Sequence, residues 1–394
     1  MASIRPFRIS IPQSDIDDLN QKLLRSRLPR VAEDGWNRGA PIEDIRRISK
    51  HWRETFSWRS FEKRLNRLPN FKASISVDGF EPFQVHFIHQ RSSVSNAIPL
   101  LFIHGWASSY HEIVKCLPLF AESEKNGGPA FHVVALSVPN CGFSSRIDMP
   151  GFGFDQYAET CHKLMLGLGY EKFACQGGDW GSTICRLLGL LYPQSIIAIH
   201  LNFIVSGPPP VTSPIKFTRF LLTHLLNWYT PAEAAGLKRA QDFNAKGNGY
   251  FQIQVQRPNT IGVALEDSPV SLLAWIYDKL VSWTDDYQWT DEEVCEWVSL
   301  YWFSRAGPAA SVVLYHEAFR GNGRDVLQIA APTVKMGFSY FPREFFSTPR
   351  FWNRQIGDVI FEKEHDSGGH FPAWEKPELF VGDLRMMFDR IRDA

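Results

Sequence analysis

The spacing of apolar residues along this chain changes from helical to strand-like and back, and each change marks a different kind of element. Near the start, Ile16, Leu19 and Leu23 fall on one face of a helix that runs up to Pro29, and Ser14 followed by Asp17 has the form of its capping box. Ile42, Ile45, Ile48, Trp52 and Phe56 repeat the helical spacing and predict a second helix. Trp36, Trp58, Phe61 and Phe71 lie between and after these helices, too many large apolar groups for a solvated tail. Residues 1–90 are therefore expected to form an arm that wraps over a larger body.

From Phe83 the pattern changes to short strands, expected at Phe83–Ile88, Ile98–Ile103, Phe131–Leu136 and Ile196–Asn202, with a helix around Tyr157–Leu166 for which Asp155 is a candidate cap. The alternation breaks at Ser206-Gly207-Pro208-Pro209-Pro210, and about a hundred residues follow with helical spacing and many aromatic side chains. Strands resume at Pro332–Phe338 and Asp358–Phe361, and Pro377–Ile391 is an amphipathic helix. Alternating strands and helices predict an α/β fold with a mostly parallel sheet covered by helices on both faces. Residues 91–206 and 311–394 read as two parts of one core, with 207–310 as an inserted helical cap. Catalytic groups are then expected at the carboxyl ends of the strands.

One turn in the core carries a chemical signal. Lys172-Phe173-Ala174-Cys175 reads as the end of a buried strand and Ser182 to Leu188 as the start of a helix, so Gln176-Gly177-Gly178-Asp179-Trp180-Gly181 is a strand-to-helix turn. Small residues on both sides let a sharp, strained backbone hold Asp179 out into a pocket, as in a nucleophile elbow. The same hexapeptide is also compatible with a tight turn in which Asp179 only caps the helix. As a nucleophile toward esters or amides, a carboxylate would make a high-energy anhydride. At saturated carbon it displaces an alkoxide or a halide and leaves an alkyl ester that water can hydrolyse. Epoxides and haloalkanes are the substrates this chemistry predicts.

Such an ester needs a base to activate water. His370, in Ser367-Gly368-Gly369-His370-Phe371, follows the final strand and has glycines for close backbone approach. A structural histidine in a turn is the alternative. The chain order of nucleophile, acid, then histidine fits a hydrolase core. The acid that orients the imidazole is expected at Glu344, just after the preceding strand, with Asp358, Glu364 and Asp366 as competitors. Asp358 opens a strand at its far end, and Asp366 is too close along the chain to reach round.

Composition narrows the function without naming it. The 394 residues are 44% apolar, enough for a large core, and the 42 basic residues balance the 42 acidic ones, so no nucleic acid or anionic surface is expected as partner. The start of the chain lacks the apolar stretch of a signal peptide, and no run of about 18 apolar residues occurs, which predicts a soluble, cytoplasmic protein without a membrane anchor. Cys116, Cys141, Cys161, Cys175, Cys185 and Cys295 are scattered, with no metal-ligand spacing, and are expected as buried thiols. A homodimer is left open.

The motifs His104-Gly105-Trp106, Gln176 to Ser182, Phe341-Pro342-Arg343-Glu344 and Gly368-Gly369-His370-Phe371, with Trp52-Arg53-Glu54-Thr55-Phe56-Ser57-Trp58 in the arm, occur in an order that resembles the microsomal-type epoxide hydrolases of the α/β-hydrolase superfamily and their soluble fungal members. The likeness spans nearly the whole chain. It implies that Tyr250 and Tyr315, in Gly249-Tyr250-Phe251 and Leu314-Tyr315-His316, donate hydrogen bonds from the cap to the epoxide oxygen. It also implies an oxyanion hole made by the backbone N–H groups of Trp106 and Trp180, a diol product, and no metal or organic cofactor. Two departures stand out. The family usually has proline where this chain has Ala107, followed here by Ser108-Ser109, so the loop either keeps a cis bond to a non-proline residue or takes another shape, with altered selectivity expected. Asn140-Cys141-Gly142-Phe143 replaces the usual Gly-x-Gly-Phe and is expected to reshape a pocket wall. A haloalkane dehalogenase, a cyclase that opens the epoxide with the substrate's own hydroxyl, and a non-catalytic binding protein are the competing readings. The aromatic cap suits a bulky apolar substrate, and a detoxifying or a biosynthetic role is open.

Overall fold

The computed structural model describes residues 3–30, 34–125, 127–320 and 330–392. Among them nine strands form one sheet: β1 (Ile4–Pro6), β2 (Asn70–Ile75), β3 (Phe83–Gln90), β4 (Ile98–Ile103), β5 (Phe131–Leu136), β6 (Phe173–Gly177), β7 (Ile196–Leu201), β8 (Lys335–Tyr340) and β9 (Asp358–Glu364). Their order is β1-β2-β3-β5-β4-β6-β7-β8-β9. The first three pairings are antiparallel and the remaining five parallel, the mostly parallel α/β arrangement expected. Leu100 to Ile103, Val133 to Leu136 and Phe173 to Gly177 are buried throughout, as strands covered on both faces must be.

The strand order fixes where a site can form. β4 has β5 on one side and β6 on the other, so the chain reverses its direction of travel across the sheet there. A crevice opens outside the carboxyl ends of strands at such a point. The loop beginning at His104 and the turn carrying Asp179 leave from the ends of the neighbouring strands β4 and β6, where Ile103 pairs with Gly177.

The N-terminal arm differs from expectation in one respect. Besides its helices Gln13–Arg25, Ile42–Glu54 and Trp58–Leu65, it supplies β1 and β2 to the sheet itself. β1 has three residues, too few for a visible alternation, and it gains its partners only from β2 far along the chain. The helices bury Leu19, Leu23, Ile45, Ile48, Trp52, Trp58 and Phe61. Each such side chain contributes about 2 kcal/mol. Trp36, in contrast, is 40% exposed and packs at a tilt against Tyr277, with ring centroids 5.5 Å apart. The proposed cap at Ser14 is absent: the helix starts after Pro12 without a side-chain cap, and Ser14 Oγ donates to Asp15 instead. Asp155 likewise lies inside the first turn of the helix Phe154–Gly167, whose entry is secured by Gly153 N–H donating to Gln156 Oε1 at 2.9 Å.

Between β7 and β8 the described residues form helices and no strand. Prolines at the first turn open Pro214–Leu225, Pro231–Asp242, Pro258–Asp267 and Pro269–Ser282, a position where the missing N–H costs nothing. Thr230 with Glu233, and Thr290 with Glu293, cap two helices reciprocally. The arm grips the last of these, Asp291–Trp302: Trp52 Nε1 donates to Ser299 Oγ at 2.9 Å, Arg47 pairs with Asp291, and Arg64 with Glu296. The helix Ala310–Arg320 packs against Gly249–Gln256. Among the described residues no helix is long and apolar enough to cross a membrane, and all six cysteines are buried and unpaired.

Candidate active site

Asp179 has φ +44°, in the left-handed region that a side chain disfavours, and begins the helix Asp179–Leu191 directly after the end of β6. Holding that strain, of order 1–3 kcal/mol, requires neighbours without side chains. A Cβ on Gly105 would stand 2.3 Å from Asp179 Cβ, and one on Gly181 would stand 1.9 Å from Ile103 O. Gly181 is thus explained by close approach of the Ile103 backbone and Gly105 by close approach of the Asp179 side chain, which a simple capping turn would not demand.

The loop after β4 meets this turn. Trp106 N–H donates to Asp179 Oδ1 at 2.9 Å, and the Trp106–Ala107 peptide bond is cis, so the replacement of proline by Ala107 leaves the cis geometry in place. The loop is held from the helix Asp291–Trp302: Trp297 Nε1 donates to Ala107 O at 2.7 Å and Tyr301 Oη to Ser108 O at 2.6 Å. Ser108 Oγ donates to buried Glu112 at 2.5 Å. Burial pushes the Glu112 carboxyl up to about 7.

His370 and Glu344 come from the loops after β9 and β8. His370 Nδ1 lies 2.9 and 3.1 Å from the two Glu344 oxygens, and its Nε2 lies 3.5 Å from Asp179 Oδ2. Glu344 Oε1 also accepts from Phe345 N–H at 3.0 Å. The competing acids are elsewhere: Asp358 opens β9, Glu364 pairs with Arg350, and Asp366 lines a separate groove with His365. Burial opposes charge on His370, but the carboxylates of Glu344 and Asp179 outweigh it and raise its pKa to about 10.

That shift has a consequence for stability. The folded state holds the His370 proton more tightly than the unfolded chain, whose histidine has its ordinary value of 6.5. The stabilisation is complete below pH 6.5 and is lost as pH rises toward 10. Urea midpoints measured across this window are expected to fall with pH more steeply for the wild type than for His370→Gln. Parallel curves would show that the imidazole binds its proton no better in the folded state.

Tyr250, on the helix Gly249–Gln256, stacks on Trp106 with ring centroids 5.2 Å apart and planes 9° apart. Tyr315, on the helix Ala310–Arg320, stands edge-on to Trp180 at 4.4 Å, and the two tyrosine rings are 6.1 Å apart. Burial and then the charge of Asp179 push the Tyr250 phenol well up, and burial pushes up that of Tyr315. Both rings line a cavity of about 290 Å³ with Asp179 at its floor and Trp180 and Thr183 beside it. Its remaining walls are apolar, mainly Phe154, Phe203, Phe251, Phe319, Phe345 and Phe346.

The N-terminal third of the chain, residues 4–113, matches the family described as "Epoxide hydrolase N terminus", and residues 98–236 match the alpha/beta hydrolase fold. Epoxide hydrolase 1 of Sus scrofa is 32% identical over 97% of this chain and 88% of that protein. The chain belongs to the epoxide hydrolase family. Among solved structures, the Aspergillus niger epoxide hydrolase superposes with a TM-score of 0.85 at 32% identity, covering 99% of this chain and 97% of that one. The juvenile hormone epoxide hydrolase of the silkworm Bombyx mori gives a TM-score of 0.90 at 27% identity, covering 100% and 96%.

Several residues of this epoxide hydrolase's cavity escape sequence reasoning. Many aromatic residues of the expected cap do not line the cavity: Trp228 is 68% exposed, and Trp283 backs His370 and Phe345 instead. Phe154, Phe203 and Phe319 converge from separate elements, and no sequence pattern links them. Phe345 and Phe346 follow Glu344 directly in the chain, and nothing in their spacing marks them as lining. Asn140 does not reshape a wall: it turns the chain after β5, with φ +69° and its Oδ1 accepting from Ile147 N–H at 2.7 Å, and it is not among the cavity-lining residues.

Proposed function

We propose that this epoxide hydrolase converts an epoxide to a vicinal diol through an ester on Asp179. The observation that carries the reading is the division of labour between the two Asp179 oxygens. Oδ1 is already engaged by Trp106 N–H, which leaves Oδ2 to attack an epoxide carbon. The Oδ1 atom then becomes the ester carbonyl, held by Trp106 N–H and by Trp180 N–H, one of the first-turn donors that a helix leaves unpaired. Tyr250 and Tyr315 hold the epoxide oxygen, and one phenol gives up its proton as the carbon–oxygen bond breaks.

Esterification removes the Asp179 charge. His370 then loses part of what stabilises its imidazolium, and its proton passes to the tyrosinate, which restores the phenol. The neutral imidazole, oriented by Glu344, takes a proton from water as the water oxygen attacks the ester carbonyl carbon. The ester carbon–oxygen bond then breaks and the departing diol oxygen takes the second proton of the attacking water, which restores the Asp179 carboxylate and the His370 imidazolium. Residues 207–310 act as the cap that brings Tyr250 over the nucleophile, and the arm of residues 1–90 braces that cap. Away from Asp179, the tyrosines and Thr183, the walls are apolar and largely aromatic, which fits a neutral epoxide with an aryl or branched alkyl substituent.

Multiple turnover of mixed aryl and alkyl epoxides in heavy-oxygen water is expected to give diol and to leave heavy oxygen in the peptide that contains Asp179. Diol without label would replace the ester by direct attack of water. An isomeric cyclic ether without label would mean that the substrate's own hydroxyl opens the ring.

A further inference from the structure

The mechanism leaves a buried cation beside the site unused. Lys279, on the helix Pro269–Ser282, is only 8% exposed, an uncommon depth for lysine. Its Nζ lies 4.7 Å from the centroid of the Tyr250 ring and 5.7 Å from that of Trp283. It pairs with Asp278, but the Asp278 side chain is 25% exposed against 10% for the lysine, so water screens the carboxylate more than the ammonium. An aromatic ring attracts a cation through its quadrupole, and a ring that carries phenolate charge attracts it more strongly. The ammonium therefore favours the state of Tyr250 that forms as the epoxide oxygen leaves.

We infer that Lys279 is a positioning residue for ring opening: its ammonium, fixed over the Tyr250 ring, stabilises the tyrosinate that forms when the phenol protonates the leaving oxygen. In this step the Asp179 oxygen bonds to the epoxide carbon and the ring carbon–oxygen bond breaks. The electron pair stays on oxygen, and the Tyr250 proton follows it. Burial and the Asp179 charge both oppose loss of that proton, and Lys279 is the nearby group of opposite sign that acts through the ring. The inference rests on Tyr250 being the proton donor.

A double-mutant cycle with single-turnover kinetics separates this role from simple packing. Lys279→Met keeps most of the stem, and it is expected to slow formation of the Asp179 ester about tenfold, the effect of roughly one pKa unit on the donor. Hydrolysis of the ester and substrate affinity should change less than twofold, and Lys279→Arg should restore most of the loss. In a Tyr250→Phe background, Lys279→Met is expected to have no further effect on ester formation. Equal slowing in both backgrounds, or none when Tyr250 is present, would overturn the role of Lys279 alone. Unchanged ester formation in Tyr250→Phe by itself would overturn the donor assignment, and the inference with it. Should Lys279→Met fold poorly, Lys279→Gln in the same cycle carries the same expectations.

Discussion

His370→Gln is expected to become trapped as the covalent adduct, with its mass raised by one substrate molecule and steady-state turnover down about a thousandfold. The magnitude is that of removing a positioned general base. In the proposed mechanism ring opening needs the carboxylate of Asp179 and the phenols, of which the substitution alters only the 3.5 Å contact of His370 Nε2 with Asp179 Oδ2, whereas attack of water on the ester needs the imidazole. The glutamine amide can still donate toward Glu344, so the buried carboxylate that now lies 2.9 Å from Nδ1 keeps a partner and the fold is retained. Intact-protein mass spectrometry after brief exposure to substrate reads the adduct directly. Turnover reduced without any mass increase would exclude the ester intermediate, and turnover unchanged would remove His370 from the chemistry.

Replacing both cap phenols, in Tyr250→Phe with Tyr315→Phe, is expected to slow ester formation by about a thousandfold. A hydrogen bond to developing charge in a dry site is worth about 2 kcal/mol, so the two together account for about three decades. Either single variant should lose ten- to a hundredfold, because the remaining hydroxyl still reaches the same oxygen. The rings themselves stay: Tyr250 stacks on Trp106 and Tyr315 packs edge-on to Trp180, contacts that phenylalanine preserves. Pre-steady-state quenching of tryptophan fluorescence follows the step, since Trp106 and Trp180 flank the nucleophile. Ester formation at the wild-type rate in the double variant would assign proton donation to another group.

Taken together, these experiments dissect one ordering of events. In the proposed mechanism Asp179 acts first, and its neutralisation changes His370 from a cation to a base. The Glu344–His370 pair is buried, so its proton balance depends on the charge of one neighbour, not on bulk pH alone. The arm also enters this chemistry at a distance. It grips the helix Asp291–Trp302, whose Trp297 and Tyr301 hold the two carbonyls that follow Trp106. Arm residues remote from Asp179 thereby brace the loop whose N–H meets it.

The chain's order of motifs was sufficient for the core. Seven strands from Phe83 onward, the elbow at Asp179 and the final helix are local patterns: runs of apolar residues of strand length, glycines where a turn must be sharp, and helical spacing that persists for many residues. Candidates for nucleophile, acid and histidine could be chosen because each stands in the turn or loop after a strand, and the carboxyl ends of parallel strands meet at one edge. The tyrosines were singled out only through resemblance, since a tyrosine in an aromatic cap has no distinguishing pattern of its own.

Tertiary structure decided what depends on contacts between distant segments. β1 and β2 joined the sheet because β3 offered an unpaired edge, a partner invisible to a three-residue strand. The cavity walls gather Phe154, Phe203, Phe319 and Phe345 from four separate elements. Ser14 and Asp155, good caps by type, each lie two residues past the observed N-cap position because packing of the helix, worth several kcal/mol, outweighs a cap worth about one. The sequence by itself determined which elements form and which side chain stands at the turn, because backbone sterics and hydrophobic spacing are local. Only the folded structure decided how Asp179 shares its two oxygens, why Lys279 lies against Tyr250 and which aromatics face the cavity, because these are set by close packing between residues far apart in the chain.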